Sequence, residues 1–228
     1  MVHHQIQHGL RRRFAMTLEI IRLTLGPLSN NVYLLGDPAR GDAVVIDPSF
    51  EAQALLECAE SLGWTLRGIW LTHSHFDHIA GAGEIAGVFS PPLPVGLHPE
   101  DQVWYQQEGG ARQFGMSIPP LPAVKQPLTH GMRLGLGDDS PPVAEVRHAP
   151  GHSPGHVVFY VESLGALFCG DVIFYQGIGR TDLPGGNLET LLESIRTQVF
   201  SLPDETRLLP GHGPESTVGF ERANNPFL

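Results

Sequence analysis

The chain has 228 residues, of which 41% are hydrophobic, enough to bury a substantial core. Its formal net charge is −10, with only 14 Lys and Arg and no long basic stripe, which argues against a nucleic-acid phosphate backbone as partner. Twenty-seven Gly and 20 Pro, spread along the chain, favour a site built on loops rather than a helical bundle.

Residues 1–16 contain no acid, carry Arg11, Arg12 and Arg13 together, and lack the apolar core of a signal peptide. They read as a disordered tail holding His3, His4 and His8. A start at Met16 and a targeting segment are the alternatives. Ordered structure is expected from Thr17, and residues 17–228 show no composition break, so they read as one domain. Leu18 to Leu25 and Asn31 to Leu35 are β-rich and separated by turn residues. Ala43 to Ile46 is a short buried strand ending at Asp47-Pro48. Ala52, Leu55, Leu56, Ala59 and Leu62 keep helical spacing, which predicts a helix over 50–62. Leu66 to Leu71 is the next strand, and a helix is expected from Ile79 to Val88, directly after His78. The Pro-rich stretch 90–130 offers one short helix, Glu100 to Gln107, in a surface loop. Strands follow at Met132 to Leu136, Val143 to His148, His156 to Val161 and Ala166 to Phe168. Leu188 to Leu202 then predicts a helix, with Asn187 as N-cap. No run of 18 apolar residues suggests a membrane span.

The chemistry concentrates in Thr72-His73-Ser74-His75-Phe76-Asp77-His78, where three imidazoles and a carboxylate fall within six residues. These donors suit zinc or iron-like cations. Along an extended segment, residues i and i+2 share a face, so His73 and His75 can reach one ion. A bend after them can turn Asp77 and His78 toward a second. His152, between Gly and Pro residues, and His212, in Leu-Pro-Gly-His-Gly-Pro, each lie in a tight loop that presents one rigid side chain. Asp171, in Cys-Gly-Asp, can bridge two cations. Asp47 is expected to orient the His loop from behind. His156 is expected to open a strand, with a hydrogen-bonding role behind the ligands as the alternative, and His98, His130 and His148 to be surface or core residues. Cys58 reads as core. Cys169 reads as a buried small residue, with a place beside the site as the alternative. Two cysteines make no disulfide framework.

The set His73, His75, Asp77, His78, His152, Asp171 and His212 resembles the metallo-β-lactamase superfamily over residues 17–224. The resemblance implies an α/β fold: a four-layer αβ/βα sandwich with two mixed sheets flanked by helices. It also implies a dinuclear site, with His73, His75 and His152 on one ion, Asp77, His78 and His212 on the other, and Asp171 bridging. True β-lactamases of this fold resemble the set only partly, usually with Cys in place of Asp171. The diiron flavoproteins usually carry an acid in place of His75, and the nucleases an extra domain.

Gly177-Ile178-Gly179-Arg180-Thr181-Asp182-Leu183-Pro184-Gly185-Gly186 and the His212 loop look like the short bacterial glyoxalase II-type hydrolases, which are similar to hydroxyacylglutathione hydrolase. Sixteen residues follow His212, so the C-terminal helical domain of the long enzymes is not expected. Arg180 stands where the family has a basic substrate-binding residue, and Tyr175 is a further candidate substrate contact. The activity this implies is hydrolysis of a thioester such as S-lactoylglutathione. Hydroxide shared by two divalent metal ions would attack the carbonyl, with Asp77 orienting the water. Zinc is the expected metal, with iron and manganese as alternatives. Alternative activities are a mononuclear-iron persulfide dioxygenase using His73, His152 and Asp171, and a lactonase. The expected partner is a small-molecule thioester, with no nucleic acid or membrane, in a cytoplasmic monomer or homodimer.

Overall fold

A computed structural model describes residues 17–228. The expectation of a disordered 1–16 tail lies outside the described residues.

Two six-stranded sheets face one another. The first runs in order β1 (Glu19–Leu25), β2 (Asn30–Asp37), β3 (Asp42–Ile46), β4 (Thr65–Trp70), β5 (Val95–Leu97), β6 (Val124–Pro127). Strands β3 to β6 are parallel, and α1 (Ala52–Ser61) makes the crossover from β3 to β4. The second sheet contains β7 (Arg133–Gly135), β8 (Pro142–His148), β9 (Val157–Val161), β10 (Ala166–Gly170), β13 (Arg207–Pro210) and β14 (Ser216–Thr217). Its order is β14-β13-β10-β9-β8-β7, with β10 and β13 parallel. A small hairpin, β11 (Ile173–Phe174) and β12 (Gly177–Ile178), leaves the end of β10. Helices α2 (Phe76–Ile79), α3 (Ala82–Gly87) and α4 (Gln102–Gln106) belong to the first half, α5 (Leu188–Ser194) and α6 (Val218–Asn224) to the second. This is the pair of helix-flanked mixed sheets expected from the sequence.

Strands buried on both faces need apolar residues at consecutive positions, and β2 supplies Val32-Tyr33-Leu34-Leu35. Tyr33 and Leu35 point between the sheets with Val44, Ile46 and Trp70, against Val146, Phe159, Phe168 and Leu209. Val32 and Leu34 point the other way, with Val45 and Ile69, onto Leu55 of α1 and Ile85 of α3. The outer face of the second sheet, Val158, Leu167 and Leu208, packs on Leu191, Ile195 and Val199 of α5 and its extension. Period-2 alternation thus builds three apolar layers from two sheets, and four structural layers follow.

Three expectations need correction. The helix expected at Ile79–Val88 starts earlier, at Phe76, and is broken between Ile79 and Ala82, so Asp77 and His78 ride on its first turn rather than in a bend. The 90–130 stretch is more than surface loop. It adds β5, fully buried beside β4, and β6 beyond it, because Val95-Gly96-Leu97 is short enough to hide among prolines. Helix α5 keeps its Asn187 cap, with Asn187 Oδ1 accepting from Thr190 N at 2.9 Å, but passes into a π-helical turn at Ile195–Val199. Cys169 is the buried small residue expected, and the alternative of a place beside the site does not hold. Gly170 takes φ +48°, which breaks the strand alternation, so Cys169 packs under α5 while Asp171 turns to the sheet edge. No helix among the described residues is long and apolar enough to cross a membrane.

Phe159 is fully buried between the sheets, its ring 5.4 Å from that of Trp70. Phe159→Ala is expected to cost about 3–5 kcal/mol of unfolding free energy, read as a lowered urea midpoint at unchanged slope.

Candidate metal centre

The loops after β3, β4, β8, β10 and β13 open on one edge of the sandwich, and backbone bonds tie them there. Asn31 N donates to Gly211 O (2.7 Å), Val157 N to Thr72 O (2.8 Å) and Gly211 N to Gly170 O (2.8 Å). The edge gathers the seven residues expected as ligands, six of them in two groups of three. His73, His75 and His152 place one nitrogen each within 4.8 Å of one another, and Asp77, His78 and His212 do the same with an oxygen and two nitrogens. Within the first group, His152 Nε2 is 2.9 Å from His75 Nδ1. Within the second, Asp77 Oδ2 is 3.2 Å from His212 Nε2 and 3.4 Å from His78 Nε2. Asp171 stands between them. Its Oδ1 is 3.4 Å from His78 Nε2, and its Oδ2 is 3.7 Å from His152 Nε2 and 3.8 Å from His212 Nε2.

Nearly every imidazole has its far nitrogen engaged, which leaves the near one bare. His152 Nδ1 lies 2.8 Å from Arg180 O, and His212 Nδ1 3.2 Å from Leu28 O. His78 Nδ1 lies 3.1 Å from Asp47 Oδ2. His73 Nδ1 lies 3.0 Å from Thr72 Oγ1, which itself donates to Asp47 Oδ2 at 2.6 Å. The carbonyl and carboxylate partners can only accept, so they select the Nε2-bare tautomers that a cation needs. Asp47, held in a left-handed backbone conformation (φ +52°), thus orients one imidazole of each group.

Burial, with the neighbouring imidazoles, keeps His73 neutral and pushes His75 down to about 3. Burial opposes ionisation of Asp171 too, but His78 beside it holds the carboxyl far below the usual range. His73 Nε2, His78 Nε2 and Asp171 Oδ1 are buried with no hydrogen-bond partner. Each such orphan costs about 1–3 kcal/mol if nothing engages it, so the donor set fits a pair of divalent cations.

Two contributors, Asn30 and Asp101, were not legible in the sequence, and a third, His156, takes the role that was only its alternative there. His156 precedes β9 as expected, yet its Nε2 accepts from Asp171 N at 3.0 Å and its ring stacks on His73. Asn30 Nδ2 donates to Asp77 Oδ2 at 2.8 Å. Asp101, fully buried, accepts from Ser74 N (3.0 Å), Ser153 Oγ (2.8 Å) and Gly155 N (2.6 Å), clamping the His73–His75 segment to the His152 loop. An Asp inside a proline-rich stretch carries no local signal of that role. His98 and His148 stack at 4.2 Å away from the centre. Cys58 is half-buried against the first core layer.

A cavity of about 580 Å³ opens over the two groups. Arg180 lines it, its guanidinium bonded twice to Asp182 at 2.7 and 2.8 Å. Tyr175 does not line it; half-exposed, it stacks on Phe220 of α6.

Gly211 leaves no room for a side chain: an added Cβ would lie 2.5 Å from Asp171 Oδ1 and 2.6 Å from His78 Cε1. Gly211→Ala is expected to lower the bound metal from two ions per chain to one or fewer by elemental analysis, with the far-ultraviolet spectrum retained. Asp101→Ala strands three buried donors and is expected to destabilise by about 3 kcal/mol and to weaken binding at the His73–His75–His152 group, read by metal titration.

The geometry has counterparts. The model of the metallo-beta-lactamase superfamily matches residues 25–212. A Haemophilus influenzae protein named hydroxyacylglutathione hydrolase GloC is 35% identical, covering 93% of this chain and 98% of that protein. The structure of TTHA1623 in a di-iron-bound form superimposes with a TM-score of 0.82 at 40% identity, covering 91% of this chain and 100% of that one. BLEG-1, described as a B3 metallo-beta-lactamase, superimposes with a TM-score of 0.84 at 38% identity, covering 92% and 99%. By its family match, its identity to these proteins and its fold, the chain belongs to the metallo-β-lactamase superfamily of metal-dependent hydrolases.

Proposed function

We propose that the chain is a thioester hydrolase of the glyoxalase II type, with zinc as its expected metal and S-lactoylglutathione as a first substrate to test. The observation that carries this reading is Asp171 set between two three-residue donor groups at the floor of an open cavity, with no serine or cysteine nucleophile among the lining residues. The similarity to the Haemophilus influenzae protein supports it. When bound, a pair of divalent cations supplies an acidified water and Lewis-acid polarisation of a carbonyl.

The chain's own residues set the rest. Asp77 engages Asn30 and His212 through Oδ2. Burial opposes its ionisation, but His78 beside it and the bonds from His212 and Asn30 hold its carboxyl at about 2. It is therefore a carboxylate at neutral pH, able to accept a hydrogen bond from the attacking water and orient it. A thiol with a pKa near about 8.5 departs without a strong general acid, and the cavity lining offers no lysine or tyrosine to act as one. Burial pushes the Cys169 thiol up and its Sγ donates to Leu167 O, so it is unsuited to covalent catalysis. Both cysteines are free, which supports a reducing, cytoplasmic location.

The test is loss of thioester absorbance from S-lactoylglutathione by metal-loaded protein, with and without oxygen, and with a chromogenic β-lactam as comparison. Oxygen-independent thioester turnover that exceeds β-lactam turnover is expected. His73→Ala and Asp171→Ala should each lower kcat at least about a hundredfold; an unchanged rate in either would overturn the assignment. Oxygen uptake with glutathione persulfide, without anaerobic thioester turnover, would replace it with the dioxygenase reading.

A further inference from the structure

The cavity walls above the metal centre differ in chemistry from its floor. The floor is His75, Asp77, His152, Asp171 and His212. The walls are Pro27, Leu28, Phe76, Phe114, Met116 and Leu183, with Gly109 between them. Leu28 sits in the β1–β2 turn and Phe114 at the end of the 3₁₀ segment Glu108–Phe114. They are 49% and 47% exposed, among the large apolar side chains the described surface leaves uncovered. Phe114 lies against Phe76, ring centroids 5.4 Å apart, and Phe76 meets Phe50 behind it at 6.4 Å. Phe76 is itself buried, so this wall is backed by core.

Charge points the same way. Among the described residues lining the cavity, Arg180 is the one lysine or arginine. Its Nε and Nη2 donate to Asp182, so part of its charge is already offset before any ligand carboxylate meets the remaining donors. Glutathione carries two carboxylates and one ammonium, and this cavity offers a single, already paired cation on a chain of net charge −10. Apolar walls around a few convergent polar groups describe a site that selects by apolar contact.

We propose that the cavity recognises its substrate through a medium-length apolar acyl group lodged against Phe76, Phe114 and Leu28, and that carboxylates of the thiol carrier add little. This rests on the thioester-hydrolase reading for the reaction, but not for the binding preference. The step itself balances simply: water adds its oxygen to the carbonyl carbon, the C–S bond breaks, and the products are the carboxylic acid and the thiol.

Two measurements on metal-loaded protein test it. The first is the dissociation constant of the straight-chain acids acetate, butanoate, hexanoate and octanoate, by calorimetry. The second is kcat/KM for the matching acyl thioesters of N-acetylcysteamine, an uncharged thiol, beside S-lactoylglutathione. The dissociation constant should fall by about fourfold per methylene buried, and kcat/KM should rise in parallel. Phe114→Ser and Leu28→Ser should flatten both series, and Phe114→Leu should restore the slope, with melting temperatures confirming folded protein. Binding independent of chain length would overturn the proposal, as would S-lactoylglutathione exceeding the octanoyl thioester more than about tenfold in kcat/KM. A chain-length slope in binding with no turnover of any thioester would overturn the hydrolase reading and leave the apolar specificity standing. Turnover without a slope would do the reverse.

Discussion

Asp171 sets its carboxylate at the meeting point of His78, His152 and His212, with Oδ1 buried and lacking a hydrogen-bond partner, and much of the molecule is arranged to hold it there. A carboxylate in that position is unfavourable unless positive charge faces it. The protein supplies part of that charge through imidazoles and leaves the remainder to divalent cations. Gly170 turns the chain out of β10 to deliver the carboxylate, and the His156 ring accepts from its backbone nitrogen. Gly211 lets the neighbouring loop pass within a side chain's width of it.

The orienting partners form a layer behind the ligands. Asp47 serves His78 directly and His73 through Thr72, so one carboxylate fixes an imidazole in each donor group. Asp101 does for the backbone what Asp47 does for the rings, joining two ligand loops that come from different sheets. Removing a partner from such a network leaves buried donors unpaired, which is why the centre and the fold share part of their stability. The cavity mouth obeys a different rule. Its apolar side chains are half-exposed and contribute little to folding, so they are free to set specificity.

Much of this was legible locally. Period-2 and period-3.6 apolar patterns located β2, β3, β4, α1 and α5 to within a few residues, because each buries one or two faces against a layer. The β5 and β6 strands escaped notice, since a three-residue strand among prolines has too few side chains to show a period. The helix holding Asp77 and His78 was misplaced because it is only four residues long, Phe76–Ile79, and its first turn is the ligand loop itself.

The sequence by itself determined the inventory: which imidazoles and carboxylates are held in rigid Gly- and Pro-flanked loops, and that strands buried on both faces must be covered by helices. Those properties are set by neighbours along the chain. Only the tertiary structure decided which donors meet, because Asp77 and His212 come together where Asn30 Nδ2 holds Asp77 and Asn31 N holds the loop after β13. It also decided that Asp101 and His156 belong to the centre, that Tyr175 does not line the cavity, and that Arg180 is already paired. Each depends on distances between segments far apart in sequence, which local composition does not encode.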